Sequence, residues 1–399
     1  MKKKILFVIP CLDAGGGEKS LINVLHAIDY TLFDVDLLVF HNKGMFLNSV
    51  PKEVNLISIY GDFLDFSESI FISISEFINQ RKFHLVLHRV LFFFKNKLEK
   101  NTSKAEQISW KNLSKSIPNL IQEYDAAIGA LEKSSIYYVI EKVNAKTKMG
   151  FIHTNYSSSG MQKALDLPFF EKLNYLVTIS DECTTDLSQN FPNLKQNIKL
   201  IYNIVSPSLI KELSNEKLED TKFNYSVFTI LTIARLSKEK GIDLALEAAF
   251  LLLKMGIVFK WYIIGDGVEK NYLERKIKEY YLEDNFILLG LKVNPYPYLN
   301  QSNLYVQPSR YEGKSLAIDE AKILGKPIIT TDYPTAKEQI TNGINGIICD
   351  MNPVDIAQQV KYLKENPNLM EKFISNLNEM QLGTESEITK LYNLIYGKS

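Results

Sequence analysis

A chain of 399 residues has room for two domains of ordinary size, and its 46% hydrophobic and 23% charged residues are those of a globular protein with a full core. Lys plus Arg and Asp plus Glu number 46 each, so no overall field draws the chain to nucleic acid, and a DNA-binding role is argued against. Three cysteines, Cys11, Cys183 and Cys349, lack C-x-x-C spacing, which argues for reducing cytoplasm and against a disulfide scaffold or structural zinc.

The chain opens MKKKILFVIP. Three lysines precede an apolar run, but the run is short and no small-residue cleavage site follows, so residues 5–10 read as a buried parallel strand rather than a signal peptide. No stretch reaches the roughly 20 apolar residues of a membrane-spanning helix, which predicts a soluble or membrane-peripheral protein. Further β-rich apolar runs fall at 35–40, 126–130, 149–152 and 175–179, and then at 228–234, 261–265, 285–289, 304–307, 327–330 and 346–349. They alternate with helical stretches, the pattern of α/β units on parallel sheets. The polar run 211–224, KELSNEKLEDTKFN, separates the halves. The simplest architecture is two Rossmann-like domains, 1–205 and 206–381, and ligands of such sheets bind outside the carboxyl ends of the strands. The tail, 386–396, reads as a final amphipathic helix.

In chain order, the first candidate is Ala14-Gly15-Gly16-Gly17-Glu18, which follows the first strand and opens a helix at about Lys19. Glycines let backbone approach a ligand closely, and the plain alternative is a tight turn. Asp34-Val35-Asp36 fits a D-x-D metal motif but begins the apolar run DVDLLVF, so it reads as strand, and Cys and His clustering offers no metal constellation either. Residues 81–100 carry six Lys/Arg and one acid. On a helix, Phe83, Leu87, Val90, Leu91, Phe94 and Leu98 form an apolar face, with Lys82, Arg89, Asn96 and Lys100 opposite. That pattern suits an anionic membrane surface, or equally a helix packed on the sheet with a wet basic face. His153 sits just after a strand. Arg235, Ser237, Lys240 and Gly241 follow the first strand of the second half, where a planar guanidinium and a compact ammonium suit a diphosphate. Gly265-Asp266-Gly267 and Gly290-Leu291-Lys292 each end a strand, and Asn294–Tyr298 (NPYPY) reads as a loop or a capped helix start.

The segment 309–330, SRYEGKSLAIDEAKILGKPIIT, is the most informative. Glu312 and Glu320 stand eight positions apart across a loop-to-helix junction at Ser315 or Leu316, whose free N–H groups and dipole would suit phosphate. Eight helical residues rise about 12 Å, which suits two ends of one long ligand. A glycosidase pair would stand closer, about 5–9.5 Å apart.

Glu312, Gly313, Glu320, Ala321 and Gly325-Lys326-Pro327 resemble the E-x7-E motif of retaining glycosyltransferases of family four, of the bacterial cell-surface glycan type. The chain departs from it at Lys314-Ser315, where many members have Phe-Gly, although a capping Ser opens a helix well. The resemblance implies the GT-B fold: two Rossmann-like domains facing across a cleft, with a C-terminal helix, here 382–399, crossing back to the first. It implies that Glu312 meets the donor sugar, that Glu320 holds the ribose, and that backbone amides between them, Ser315 and Leu316, contact the diphosphate. By the same likeness Arg235 and Lys240 bind the pyrophosphate and Gly16 and Gly17 face donor phosphate and acceptor. His153 contacts the sugar near its anomeric carbon, Gly267 and Leu291 line the base pocket, and Asn203 lies at a hinge.

The expected activity is retaining transfer of a sugar from a nucleotide donor, UDP-linked for preference, to a hydroxyl of a glycan or lipid-linked acceptor in cell-surface polysaccharide synthesis. Arg235 and Lys240 would stabilise the departing nucleoside diphosphate, so neither metal nor cofactor is called for. The expected location is cytoplasmic, peripheral on the inner face of the membrane if 81–100 docks there. Two alternatives stay open: a non-catalytic nucleotide-sugar-binding subunit, and another GT-B enzyme such as a sugar-nucleotide epimerase.

Overall fold

The computed structural model describes residues 2–13, 15–218, 222–224 and 226–398. Ala14 of the glycine loop and residues 219–221 of the polar run lie outside the described residues. The chain forms two compact units, Met1–Tyr202 with Ser386–Ser399, and Asn203–Glu385.

The first unit is built on a seven-stranded sheet in the order β3-β2-β1-β4-β5-β6-β7. Its strands are β1 (Lys3–Ile9), β2 (Phe33–Val39), β3 (Asn55–Ser58), β4 (Glu123–Gly129), β5 (Asn144–Ile152), β6 (Tyr175–Thr178) and β7 (Ile198–Leu200). The second unit has six strands in the order β10-β9-β8-β11-β12-β13: β8 (Thr229–Ile233), β9 (Lys260–Ile264), β10 (Phe286–Gly290), β11 (Leu304–Gln307), β12 (Ile328–Thr331) and β13 (Ile347–Cys349). Every pairing is parallel. Parallel strands covered on both faces are apolar throughout rather than alternating, which is why eleven of these strands stand out as continuous runs in the sequence. In the second unit Ile230, Trp261, Leu304 and Val306 enter one core, and their neighbours Leu231, Tyr262 and Tyr305 enter another. The two-residue period of a strand thus places one core on each side of the sheet.

Both sheets reverse strand order beside their first strand, at β1/β4 and at β8/β11, the switch points where crevices open at the carboxyl ends. The candidate loops all leave those ends. The helix after β1 spans Gly16–Ala27, so it opens at Gly16 rather than at Lys19, and both candidate glycines lie in its first turn. Asp34 and Asp36 fall within β2, where Asp36 is buried and accepts hydrogen bonds from Tyr124 Oη at 2.7 Å and Asn55 Nδ2 at 2.8 Å. A helix, Pro207–Ser214, fills the start of the polar run, and NPYPY leads into a helix over Tyr296–Gln301.

The tail folds onto the first unit as a single 3-10 turn, Glu385–Glu387, and a helix, Ile388–Ile395. Leu391, Leu394 and Ile395 are buried, the Tyr392 ring lies 4.8 Å from that of Phe33, and Tyr392 Oη accepts the Asp29 N–H at 2.7 Å.

The basic segment forms a helix, Phe83–Leu98, but it is not packed by its apolar face with a wet basic face outside. Its polar face is turned inward. Arg89 is buried and donates to the Glu68 carbonyl at 2.9 Å. Lys95 donates to the Ile108 carbonyl at 2.9 Å and to Asn112 Oδ1 at 2.7 Å, and Asn96 Nδ2 donates to Ser109 Oγ at 2.8 Å. Its apolar face is turned to solvent.

Candidate active site

Glu312 is the centre of the second unit's constellation. It follows β11, is only 8% exposed, and is held by donors on both oxygens. Gln307 Nε2 and Ser309 Oγ donate to Oε1 at 3.0 and 2.7 Å, and Lys240 Nζ stands 2.6 Å from Oε2. Burying a carboxylate is costly unless it is paired and hydrogen-bonded in this way. Thr335 Oγ1 donates to the Glu312 carbonyl at 3.0 Å and fixes the backbone. Tyr305 Oη donates to Gln307 Oε1 and so orients the amide. Burial, with the Glu312 charge second, holds that phenol well above its usual range, and it remains a donor.

Lys240 reaches Glu312 because the loop 237–241 lies hard against the end of β11. Gly241 sits at φ +65°, and a Cβ there would stand 1.9 Å from the Pro308 carbonyl oxygen. Arg310 clamps the two loops together. Its guanidinium is bidentate on Asp243, at 2.7 and 2.8 Å, and also donates to the Lys238 carbonyl at 2.6 Å, while its N–H donates to the Glu239 carbonyl at 2.7 Å. Burial pushes Asp243 upward, but the bonds from Arg310 and Lys238 outweigh it and hold the carboxyl below its usual range. Arg235 leaves β8 on the same loop and is exposed. Gly267 backs this loop closely, for a Cβ would meet the Leu236 carbonyl oxygen at 2.4 Å. Leu291, after β10, is 45% exposed.

The helix Leu316–Ile323 starts as predicted, with Ser315 as its cap, whose Oγ accepts the Ile318 N–H at 3.4 Å. The Ser315 amide does not face outward, however. It donates to Gln339 Oε1 at 2.9 Å, and Gln339 Nε2 returns bonds to the Ser315 carbonyl at 2.8 Å and Asp319 Oδ1 at 2.9 Å. The loop amide expected for a ligand is therefore taken by a side chain, and the Leu316 N–H is the first on the helix proper. Glu320 is 1% exposed and accepts from Tyr296 Oη at 3.2 Å.

Gly16, Gly17 and His153 lie in the first unit. Gly16 is exposed. Gly17 packs so closely that a Cβ would lie 2.3 Å from Leu131 Cδ2 and 3.6 Å from His153 Cδ2, so these two candidates are brought together. The His153 N–H donates to the Glu132 carboxylate, and its Nε2 stands 2.9 Å from the Ala130 carbonyl oxygen. A carbonyl only accepts, so Nε2 carries the proton. Burial lowers the imidazole pKa despite the opposing pull of Glu132 and Ala130, which makes it neutral at pH 7.

None of Gln307, Ser309, Arg310, Gln339, Tyr296 and Glu132 is marked as a site residue by the sequence alone. Ser309 and Gln307 had a signal, their position at the end of an apolar strand. Gln339, 24 residues from Ser315, had none.

Residues 214–380 match the family model of the group 1 glycosyl transferases. The poly(ribitol-phosphate) alpha-N-acetylglucosaminyltransferase of Staphylococcus aureus is 28% identical over 251 residues, 61% of this chain and 48% of that one. The N-acetylgalactosamine-N,N'-diacetylbacillosaminyl-diphospho-undecaprenol 4-alpha-N-acetylgalactosaminyltransferase of Campylobacter jejuni is 27% identical over 225 residues, 56% of this chain and 59% of that one. The chain spans about half the length of the curated relatives it matches. Among solved structures, Anabaena Alr3699/HepE in complex with UDP-glucose is similar with a TM-score of 0.68 at 17% identity, over 99% of this chain and 100% of that one. That likeness carries the fold, the two Rossmann-like units of the GT-B class.

Proposed function

From the match of residues 214–380 to the group 1 glycosyl transferases, we propose that the chain is a retaining glycosyltransferase. It moves a hexose-type sugar from a UDP-linked donor to a hydroxyl of a glycan or lipid-linked acceptor in cell-surface polysaccharide synthesis. The observation that carries the reading is the contact between Lys240 Nζ and Glu312 Oε2, 2.6 Å across the β8/β11 switch point. It sets a cation and a carboxylate side by side where a phosphate and its sugar would meet. The alpha-transferases among the relatives and the UDP-glucose bound by the Anabaena protein support the donor class and the stereochemistry.

In this reading Arg235 and Lys240 grip the diphosphate and Glu320 the ribose, with Gly267 and Leu291 beside the base. The Leu316 end of its helix faces the phosphates. Glu312 and His153 orient the sugar, and Gly16 and Gly17 face the donor phosphate and the acceptor. His153 donates from Nε2 to the protein's own carbonyl, so it positions and does not act as a general base. The bond from the anomeric carbon to the phosphate oxygen breaks, and the acceptor oxygen bonds to that carbon on the same face. The acceptor's proton passes to the departing phosphate. The growing charge on the diphosphate is met by two cations, Arg235 and Lys240, which is electrostatic stabilisation of the leaving group and asks for no metal.

A thermal-shift panel of UDP, GDP and ADP sugars assigns the donor, since binding to the native state raises Tm. Lys240→Ala and Glu320→Ala are expected to weaken UDP binding, and Glu312→Gln to lower turnover with the donor still bound. Product anomericity by NMR tests the mechanism: an inverted product overturns retention. Donor hydrolysis or transfer by the isolated protein separates an enzyme from a binding subunit, and normal binding by both alanine variants refutes the site map.

A further inference from the structure

The Phe83–Leu98 helix packs on its unit with the wrong face for a core helix. Arg89, Lys95 and Asn96 bond inward, whereas Phe83, Leu87, Leu91, Phe94 and Leu98 are 40% to 77% exposed. Their spacing of four, four, three and four residues lines them along one side of the helix. Sixteen residues make that stripe about 24 Å long. The preceding helix, Ile70–Asn79, packs against this one and adds exposed Phe71 and Ile78.

The helix and the segment after it are cationic, whereas residues 60–80 before it carry Asp62, Asp65, Glu68 and Glu76, and Lys82 and Lys104 are paired with Asp62 and Glu99. The chain as a whole is neutral, but residues 81–115 hold nine Lys/Arg (81, 82, 89, 95, 97, 100, 104, 111 and 115) against two acids, Glu99 and Glu106. Arg81, Lys97, Lys100, Lys111 and Lys115 are exposed. His88 meets Asn112 on the inward side of the helix, and its pKa is lowered first by burial and then by Lys115, His84, Lys95 and Lys111. No helix among the described residues is long and apolar enough to cross a membrane.

We infer that the Phe83–Leu98 helix is a docking surface for an anionic lipid bilayer, lying in the plane of the headgroups with Phe83, Leu87, Leu91, Phe94 and Leu98 in the acyl boundary and the flanking lysines on lipid phosphates. Charge decides between the occupants of such a stripe. A second copy seated on it would bring its own excess of cations against the first, which repels. An anionic leaflet attracts the same cations while the stripe buries in acyl chains. The inference does not depend on the transferase reading, since none of these residues belongs to the donor constellation.

Flotation of the full chain with phosphatidylcholine vesicles, with and without phosphatidylglycerol, tests it at about 0.1 M salt, where the screening length is about 10 Å. The chain is expected to float only with phosphatidylglycerol present. The double variant Leu87→Asp/Phe94→Asp changes two exposed positions. It is expected to retain its Tm and to lose more than about tenfold in partition. Lys97→Gln is expected to lose about fivefold. Absence of flotation, equal flotation of the double variant, or a lipid-free dimer broken by that variant with vesicles unbound, would each overturn the assignment.

Discussion

Glu312 and Lys240 are 72 residues apart in the chain and in contact in the fold, and Gly241 is what lets them meet. Its φ of +65° and the Pro308 carbonyl at 1.9 Å leave no room for a Cβ. Gly241→Ala is therefore expected to cost about 1–3 kcal/mol and to lower Tm by several degrees, about 2–4 °C for each kcal/mol in a unit of this size. A melt followed by circular dichroism reads this directly, and an unchanged Tm would mean that the loop relaxes without strain. His153 makes a prediction of the opposite kind, about a proton. Its folded pKa is lowered by burial, so the unfolded chain binds more protons once the pH drops below the unfolded value of about 6.5. The native state consequently loses stability as pH falls from there towards the folded pKa. Urea titrations at about pH 7.5 and about pH 5.5 should show a smaller acid loss in His153→Gln than in the parent. Equal losses would mean that His153 titrates normally. Nitrogen-resolved NMR should find the ring neutral, with its proton on Nε2.

At the scale of the element, the helix Leu316–Ile323 has eight residues, short enough for its ends to dominate its stability. Ser315 caps it with the Oγ, and Gln339 clasps both the Ser315 backbone and Asp319. Ser315→Ala is expected to cost about 1 kcal/mol, and Ser315→Gly only a few tenths. Calorimetric Tm values should rank the two in that order, and the reverse order would show that the clasp alone holds the turn. The cap itself was legible, because Ser before a helical pattern is a local signal, but the clasp was not, because its partners meet only after the fold forms. The same division runs through the strands. Buried central strands announce themselves as apolar runs, whereas β3, with two exposed and two half-buried residues, and β7, with three residues in all, lie at the sheet edges and carry little apolar signal. The Phe83–Leu98 helix is the instructive case. Its two faces were read from the spacing, but their direction was set by the Glu68 carbonyl, Ser109 and Asn112, polar partners on other elements. Periodicity defines a face and leaves open which way it turns.

For the molecule as a whole, the two units differ in how the chain builds them. The first is discontinuous, since the Ile388–Ile395 helix completes it by setting Tyr392 on Phe33 and its hydroxyl on the Asp29 amide. The second is one continuous stretch, Asn203–Glu385, with a core on each face of its sheet. It also contains Arg235, Lys240, Gly267, Leu291, Leu316 and Glu320, proposed to grip the nucleotide, whereas the glycine loop of the first unit is proposed only to face its phosphate. A fragment of residues 203–385 is therefore expected to fold alone and to bind UDP nearly as tightly as the full chain does. UDP at about a hundred times its Kd should stabilise it by about 2.7 kcal/mol, a rise of several degrees in Tm. The same fragment should transfer no sugar, because His153 and the glycine loop are left behind. The complementary fragment, residues 1–202, should melt below the full chain, with Phe33 stripped of its aromatic cover. Titration calorimetry and paired melts distinguish the outcomes. If residues 203–385 fold but ignore UDP while the full chain binds it, the nucleotide does not rest on the second unit alone, and the division of labour drawn from the Lys240–Glu312 contact is wrong.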